Sequence, residues 1–545
     1  MHMRAIGAFF AFLMTAAAVS AQTGTAALDQ LKTRPERTDF QETSTYQEVV
    51  DFMNAVARAA PNRVFLTTFG ETNEKRALPL AVVGAPAATP EAVRQTGKLR
   101  VYIQGNIHGG EVEGKEAAQM LLREFAQGKH DDWLKTMVFL IAPIYNADGN
   151  EKFALNNRGP QHGPMGGQGQ RPNAQRLDLN RDHMKLDSPE ARAVVRLMTD
   201  YDPHVSMDLH TTNGSRHAYF LTYAPPLNPA TDPAIIDLLR QDWLPWVTKT
   251  IKSKYDWDYY YYGNTGGGGG RGRGGRGGAA AAPAGPAPER AWRSFDSRPR
   301  FNNNYIGLRN RFAVLSEAYA YASFKDRILA TSRFVEENMN YVAANAPRIR
   351  KIVEAADAKQ IIGTQLGLRA QLKRGEVVEI LMGETTQEKH PVDGHTMELR
   401  KDVRNPEKMV EYGTFEATET ERVPTTYYIP ADLTVAIDHL RAHGVRTRTL
   451  EKPTRVAVEE FQITGNTQAQ RAFEGHNERT LEGKWTPAER ELPAGTVVVD
   501  IKQPLGRLAF YLIEPRSDDG LVDWNILDPV LGEEVTVYPI VRSRN

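Results

Sequence analysis

His108-Gly109-Gly110-Glu111 sets an imidazole and a carboxylate three residues apart, with two glycines between them. That spacing lets one tight turn aim both groups at a single cation, and the glycines permit the turn and leave room beside the ion. His210 closes a second apolar stretch, Val205-Ser206-Met207-Asp208-Leu209-His210. Two imidazoles and one carboxylate with a fourth position open make a catalytic zinc set, whereas a structural site is closed by four protein ligands. The chain has no cysteine, which excludes thiolate ligands, disulfides and a cysteine nucleophile. Any zinc must therefore be held by nitrogen and oxygen. Alone, H-x-x-E is a weak pattern that suits any polar loop, and a single histidine at a strand end is more often packed or solvated. The two together carry the metal reading.

The surrounding elements must bring these groups together. Residues 43–60 read as a helix with Val49, Phe52, Met53 and Val56 on one face. From Arg63 onward, short strands alternate with helices. Strands are expected at 99–104, 137–142, 204–209 and 312–315, and helices at 111–125 and 189–201. This alternation predicts an α/β sheet covered on both faces. In such sheets, ligands collect beyond the carboxyl ends of the strands, where both His108 and His210 would sit.

Near 345–357 the character of the chain changes. Downstream, turn-separated β segments dominate, at 376–381, 455–463, 496–501 and 508–513, with one helix at 431–443. A second, β-rich domain is read from 359 to 545. Residues 159–173 are rich in Gly, Gln and Pro and read as loop. Residues 263–288 carry GGGGGRGRGGRGG and AAAAPAGPAP and read as a disordered insert.

At the N-terminus, a short basic start, the apolar run 5–19 and the small residues Val19-Ser20-Ala21 make 1–21 a secretory signal peptide. The mature protein is then exported, periplasmic or extracellular, with no stable membrane insertion. Lys plus Arg and Asp plus Glu both number 67, so no net field draws the chain to nucleic acid, and the Arg-Gly run reads as a flexible insert. His390, Asp393 and His395 read as a solvated turn. His439 and His443, four apart on a helix, read as surface or packing residues. Oligomeric state is not legible.

Five segments, in order, resemble the zinc carboxypeptidase A family of metallopeptidases: GNIHGGEVEG, PIYNADG, RLDLNRD, MDLHTT and AVLSEAYAY. The resemblance covers 43–345, taking 22–345 as the catalytic domain. It implies a central mixed β-sheet with helices on both faces, followed by the β-rich region. It implies one Zn2+ per chain on His108, Glu111 and His210, with Glu317 as general base. Asp178 would hold the outer nitrogen of His108. Asn180 and Arg181 would grip the free C-terminal carboxylate of a peptide. Arg171 would stabilise the oxyanion, with Arg158 and Arg176 as competing choices. Tyr305 would be the tyrosine over the substrate, with the cluster 259–262 as its rival. The implied reaction is hydrolysis of C-terminal peptide bonds. Two rivals are a zinc amidase or deacylase acting on acyl-amino acids or cell-wall peptides, and a non-catalytic peptide- or glycan-binding protein.

Overall fold

The computed structural model describes residues 28–212, 214–266, 289–532 and 534–544. The signal peptide read at 1–21, and residues 267–288 of the Gly/Ala/Pro-rich insert, lie outside the described residues.

Helix α1 (Tyr46–Ala59) opens with Thr45, which accepts the Glu48 amide while Glu48 reaches back to the Thr45 amide. Such a reciprocal cap satisfies amides that the first turn leaves unpaired. The strands β1 (Val64–Glu71), β2 (Ala77–Val83) and β3 (Leu99–Gly105) follow, then α2 (Glu113–Ala126) and β4 (Met137–Ala142). After a long loop come α3 (Pro189–Asp200), β5 (Val205–Thr212), β6 (Leu221–Ala224), α4 (Leu244–Tyr255) and β7 (Tyr259–Tyr261). The strand β8 (Ala291–Arg293), α5 (Asn302–Leu308), β9 (Phe312–Tyr319) and the long α6 (Phe324–Ala358) complete this part.

Eight strands form one mixed sheet in the order β1-β2-β4-β3-β5-β9-β6-β7. The centre, β4-β3-β5-β9, is parallel, and β1, β2 and β6 join it in antiparallel pairs. Alternation along each strand sends side chains to opposite faces. Val101 and Ile103 pack with α1, α2 and α6, while Tyr102 faces the other way with α3. Residues 159–173 form the expected loop, bridged to the chain before it at Ala154 and Gln168.

The region beyond α6 is β-rich, with an antiparallel hairpin of strands Thr454–Gln468 and Arg479–Leu492 as its longest feature. It does not stand apart. Its strand Asn405–Tyr412 pairs in parallel with β8. Its helix Thr434–Ala442, named α7, and Leu508, Phe510 and Trp524 belong to the same apolar cluster as α3 and α5. One expectation is corrected here. Residues 508–513 are not a strand but lie in helix α8 (Gly506–Ile513), every residue of which is buried. A short run that is apolar on all sides gives no period by which to tell buried helix from buried strand. The stretch 345–357, where the character of the chain changes, forms the last turns of α6, which kinks at Asn345 ahead of Pro347.

Gly105 ends β3 where α2 begins to pack. A Cβ there would lie 2.8 Å from the Gly114 carbonyl carbon and from the Lys115 nitrogen, and 2.9 Å from the Pro143 oxygen. Gly105→Ala should therefore cost about 1–3 kcal/mol, read as a lower urea midpoint at unchanged slope.

Candidate active site

Beyond Gly105 the chain turns through 106–111 into α2. Asn106, at a φ of 64°, donates its side-chain amide to the carbonyls of His108, Gly109 and Glu111, at 3.2, 3.1 and 3.1 Å. The Glu111 amide donates to the His108 carbonyl at 2.9 Å. The two glycines are required by crowding. A Cβ on Gly109 would collide with the Gly149–Asn150 backbone, and one on Gly110 would lie 2.5 Å from the Gly169 carbonyl oxygen.

The turn delivers His108 and Glu111 beside His210 on β5. His108 Nδ1 stands 2.9 Å from Glu111 Oε1, and His210 Nδ1 2.9 Å from Glu111 Oε2. The three donor atoms lie within 4.8 Å of one another, and all three residues are buried. Each imidazole is oriented from its far side: His108 Nε2 meets Asp178 Oδ1 at 3.0 Å, and His210 Nε2 meets Asp208 Oδ2 at 2.9 Å. With each Nε2 proton given to a carboxylate, both Nδ1 lone pairs face the shared point. Two imidazole nitrogens and a carboxylate in this arrangement fit zinc.

Glu317 is the register partner of His210 in the parallel β5–β9 pair. Burial pushes its carboxyl up to about 7, against the pull of His210, Arg158 and Arg171 and with a further push from Glu111. A carboxyl so placed is poised to exchange protons near neutrality.

Of the three candidate arginines, two reach the site. Arg171 donates to Asp178 Oδ2 through Nε and Nη2, at 2.9 and 2.7 Å, and its Nη1 lies 3.7 Å from Glu111 Oε1. Its side chain stays 42% exposed, so it is open to solvent beside the ligand cluster. Arg158 is sequestered, donating to Glu111 Oε1 at 3.0 Å and to the Thr211 carbonyl at 2.9 Å. Arg176 is exposed and makes no bond to the cluster among the described residues.

Asp178 organises the next segment. Burial would raise its carboxyl, but Arg171, Arg181 and His108 outweigh that and hold it well below the usual carboxylate range. Its Oδ1 accepts the Asn180 amide at 2.9 Å, and Asn180 Oδ1 accepts the Asn302 amide at 2.9 Å. The Arg181 guanidinium lies over the Phe301 ring, 3.9 Å from its centroid. Its ion pair to Asp178 Oδ2 is long, 3.9 Å, which leaves donors free for a ligand.

Tyr305 does not join this site. It is fully buried on α5, where its hydroxyl meets His443 Nδ1 at 2.9 Å and accepts from Arg309 at 3.1 Å. Tyr262, from the rival cluster, is the tyrosine that feels Glu317: burial first, and then that carboxylate, pushes its hydroxyl up to about 12. His443 is buried and His439 half-buried, and both are packing residues that reach the Met184 carbonyl. His390, Asp393 and His395 do converge, at the tip of the hairpin formed by strands Thr385–Lys389 and Thr396–Arg400. There His395 Nδ1 meets Asp393 at 2.6 Å and His390 Nδ1 accepts the Val392 amide at 3.3 Å, so the turn satisfies its own groups.

Sequence reasoning missed Asp208, which also accepts from Gln104 Nε2 at 3.0 Å and so ties β5 to β3. The signal was available, since residues 208 and 210 share one face of a strand. It also missed Glu474, which accepts the Asp178 amide at 2.8 Å from 296 positions along the chain.

Residues 49–265 match the family described as zinc carboxypeptidase. The stretch contains all three metal-ligand candidates but ends before Glu317. Carboxypeptidase 2 of Trichophyton tonsurans is 23% identical over 514 residues, covering 90% of this chain and 85% of that protein. Carboxypeptidase 2 of Trichophyton rubrum shares the same identity over 514 residues, with the same coverage. Among solved structures, a metallo-carboxypeptidase from Burkholderia cenocepacia is similar at a TM-score of 0.37 and 15% identity, over 56% of this chain and 70% of that one.

Asp208→Asn should weaken zinc binding about tenfold, because the group that orients His210 loses its charge. Chelator competition on folded protein measures it.

Proposed function

We propose, from the premise that the chain belongs through residues 49–265 to the zinc carboxypeptidase family, that it hydrolyses the last peptide bond of peptides with a free C-terminal carboxylate. One observation carries the reading: two imidazoles, each clamped on its outer nitrogen by a carboxylate, converge with Glu111 on one point beside Glu317.

His108, Glu111 and His210 would hold zinc, which when bound would supply Lewis acidity for the carbonyl and for water. The chain's own groups do the rest. Glu317 takes a proton from the attacking water and returns it to the leaving amine. Arg171, charged and partly exposed, donates to the oxygen on which negative charge develops. Asn180 and Arg181 hold the substrate's terminal carboxylate, a task suited to a permanently charged planar fork. Tyr262 closes over the substrate in place of Tyr305. Asp178 and Asp208 keep the imidazoles in the ligating tautomer.

No helix among the described residues is long and apolar enough to cross a membrane. Export rests on the signal-like pattern of 1–21. Residues 22–345 would form the catalytic part and 359–545 the β-rich part.

Glu317→Gln should keep full zinc content and lose about 10²- to 10⁴-fold in kcat, measured by metal analysis beside hydrolysis of a free-C-terminal peptide. In the parent protein, kcat/KM should rise with pH as Glu317 ionises. The midpoint should lie at or below about 7, because a divalent cation nearby favours the charged form. The same peptide blocked as its C-terminal amide should be turned over far more slowly. Equal rates would overturn the exopeptidase reading in favour of an amidase.

A further inference from the structure

The tip of the long C-terminal hairpin, Thr454–Gln468 and Arg479–Leu492, lies against the loop segment that carries Asp178 and Asp187. At that tip Phe473 and His476 exchange backbone hydrogen bonds, at 2.8 and 3.0 Å, around a two-residue turn of Glu474 and Gly475. Both turn residues have positive φ, 50° and 87°. Turns of this kind place Asn, Asp or Gly at the first position. A glutamate there is strained, because its Cβ crowds the neighbouring carbonyl. Such strain persists where the surroundings over-determine the residue, and it gathers at functional sites.

Here the surroundings are specific. Phe473 stacks on Trp524, with ring centroids 6.2 Å apart, and lies 5.0 Å from the Arg300 guanidinium. His476 Nε2 meets Asp187 Oδ2 at 2.8 Å. Arg300 Nη2 donates to Glu478 Oε1 at 2.6 Å. Held from both sides, the tip places Glu474 Oε2 2.8 Å from the Asp178 amide. Burial raises the Glu474 carboxyl, while the Asp178 amide, Lys185 and Arg181 pull the other way.

Asp178 is where several tasks meet. Its Oδ1 takes His108 Nε2 and the Asn180 amide, and its Oδ2 takes Arg171. A bond that fixes the Asp178 peptide therefore fixes a metal-ligand candidate, an oxyanion donor and the start of the carboxylate-binding segment at once. We infer that Glu474 is a positioning residue of the active site, acting through the Asp178 peptide, and that the C-terminal region thereby completes the catalytic unit. This rests on the carboxypeptidase reading given above.

The bond asks only for an acceptor, so glutamine can replace glutamate. Glycine removes the acceptor and also relieves the strain. Glu474→Gly should keep or raise the melting temperature. It should weaken zinc binding roughly tenfold in chelator competition and raise KM for a free-C-terminal peptide several-fold. Glu474→Gln should stay within about twofold of the parent in all three. The inference is overturned if the glycine variant keeps parental zinc affinity and KM. It is overturned equally if melting temperature and activity fall together, which marks a side chain that only supports the fold, or if glutamine is as damaging as glycine. The two readings fail separately. A parent protein without chelator-sensitive hydrolysis sinks the carboxypeptidase reading, while the zinc titration of the variants still decides the role of Glu474.

Discussion

The parallel pairing of β3, β5 and β9 is the constraint from which the site follows. It carries the β3 turn to the same sheet end as His210 and sets His210 in register with Glu317. Hydrogen bonds between neighbouring strands thus do over the length of the sheet what no local motif can do. They bring together groups more than a hundred positions apart. The carboxyl ends of these strands are where backbone direction changes and side chains gain room, and the ligand atoms gather there.

Around that point, the molecule uses carboxylates in two roles. Glu111 faces inward to the shared ion position, and Asp178 and Asp208 stand behind the imidazoles. Buried acids are costly unless paired. Here arginines offset the cost: Arg158 on Glu111, and Arg171 on Asp178. Glu317 has no such bond among the described residues, and its carboxyl stands higher than those of Glu111 and Asp178, as suits a group that must move a proton.

Much of this is legible in the sequence. The H-x-x-E pair and His210 were readable because each ends an apolar strand, and the central strands were readable from short runs of branched residues. What escaped was set by tertiary path. Tyr305 stands nearer to Glu317 in sequence than the family's usual spacing, and the fold turns its helix into the core against His443. Residues 508–513 carry no period, so their helix was hidden. Glu474 sits in a Glu-Gly turn that nothing in its neighbourhood distinguishes, and its partner belongs to the other half of the chain.

The apolar cluster that runs from β2, β3 and β4 through α3 and α5 to α7, α8 and Trp524 has no seam at residue 359. Leu508, Phe510 and Trp524 are wholly shielded from solvent within it. A shortened protein ending at α6 would therefore lay bare a broad greasy surface, and it would tend to clump before any chemistry was asked of it. The β-rich region is better regarded as the missing side of the protein's interior than as a detachable appendage, and the chain is best produced whole.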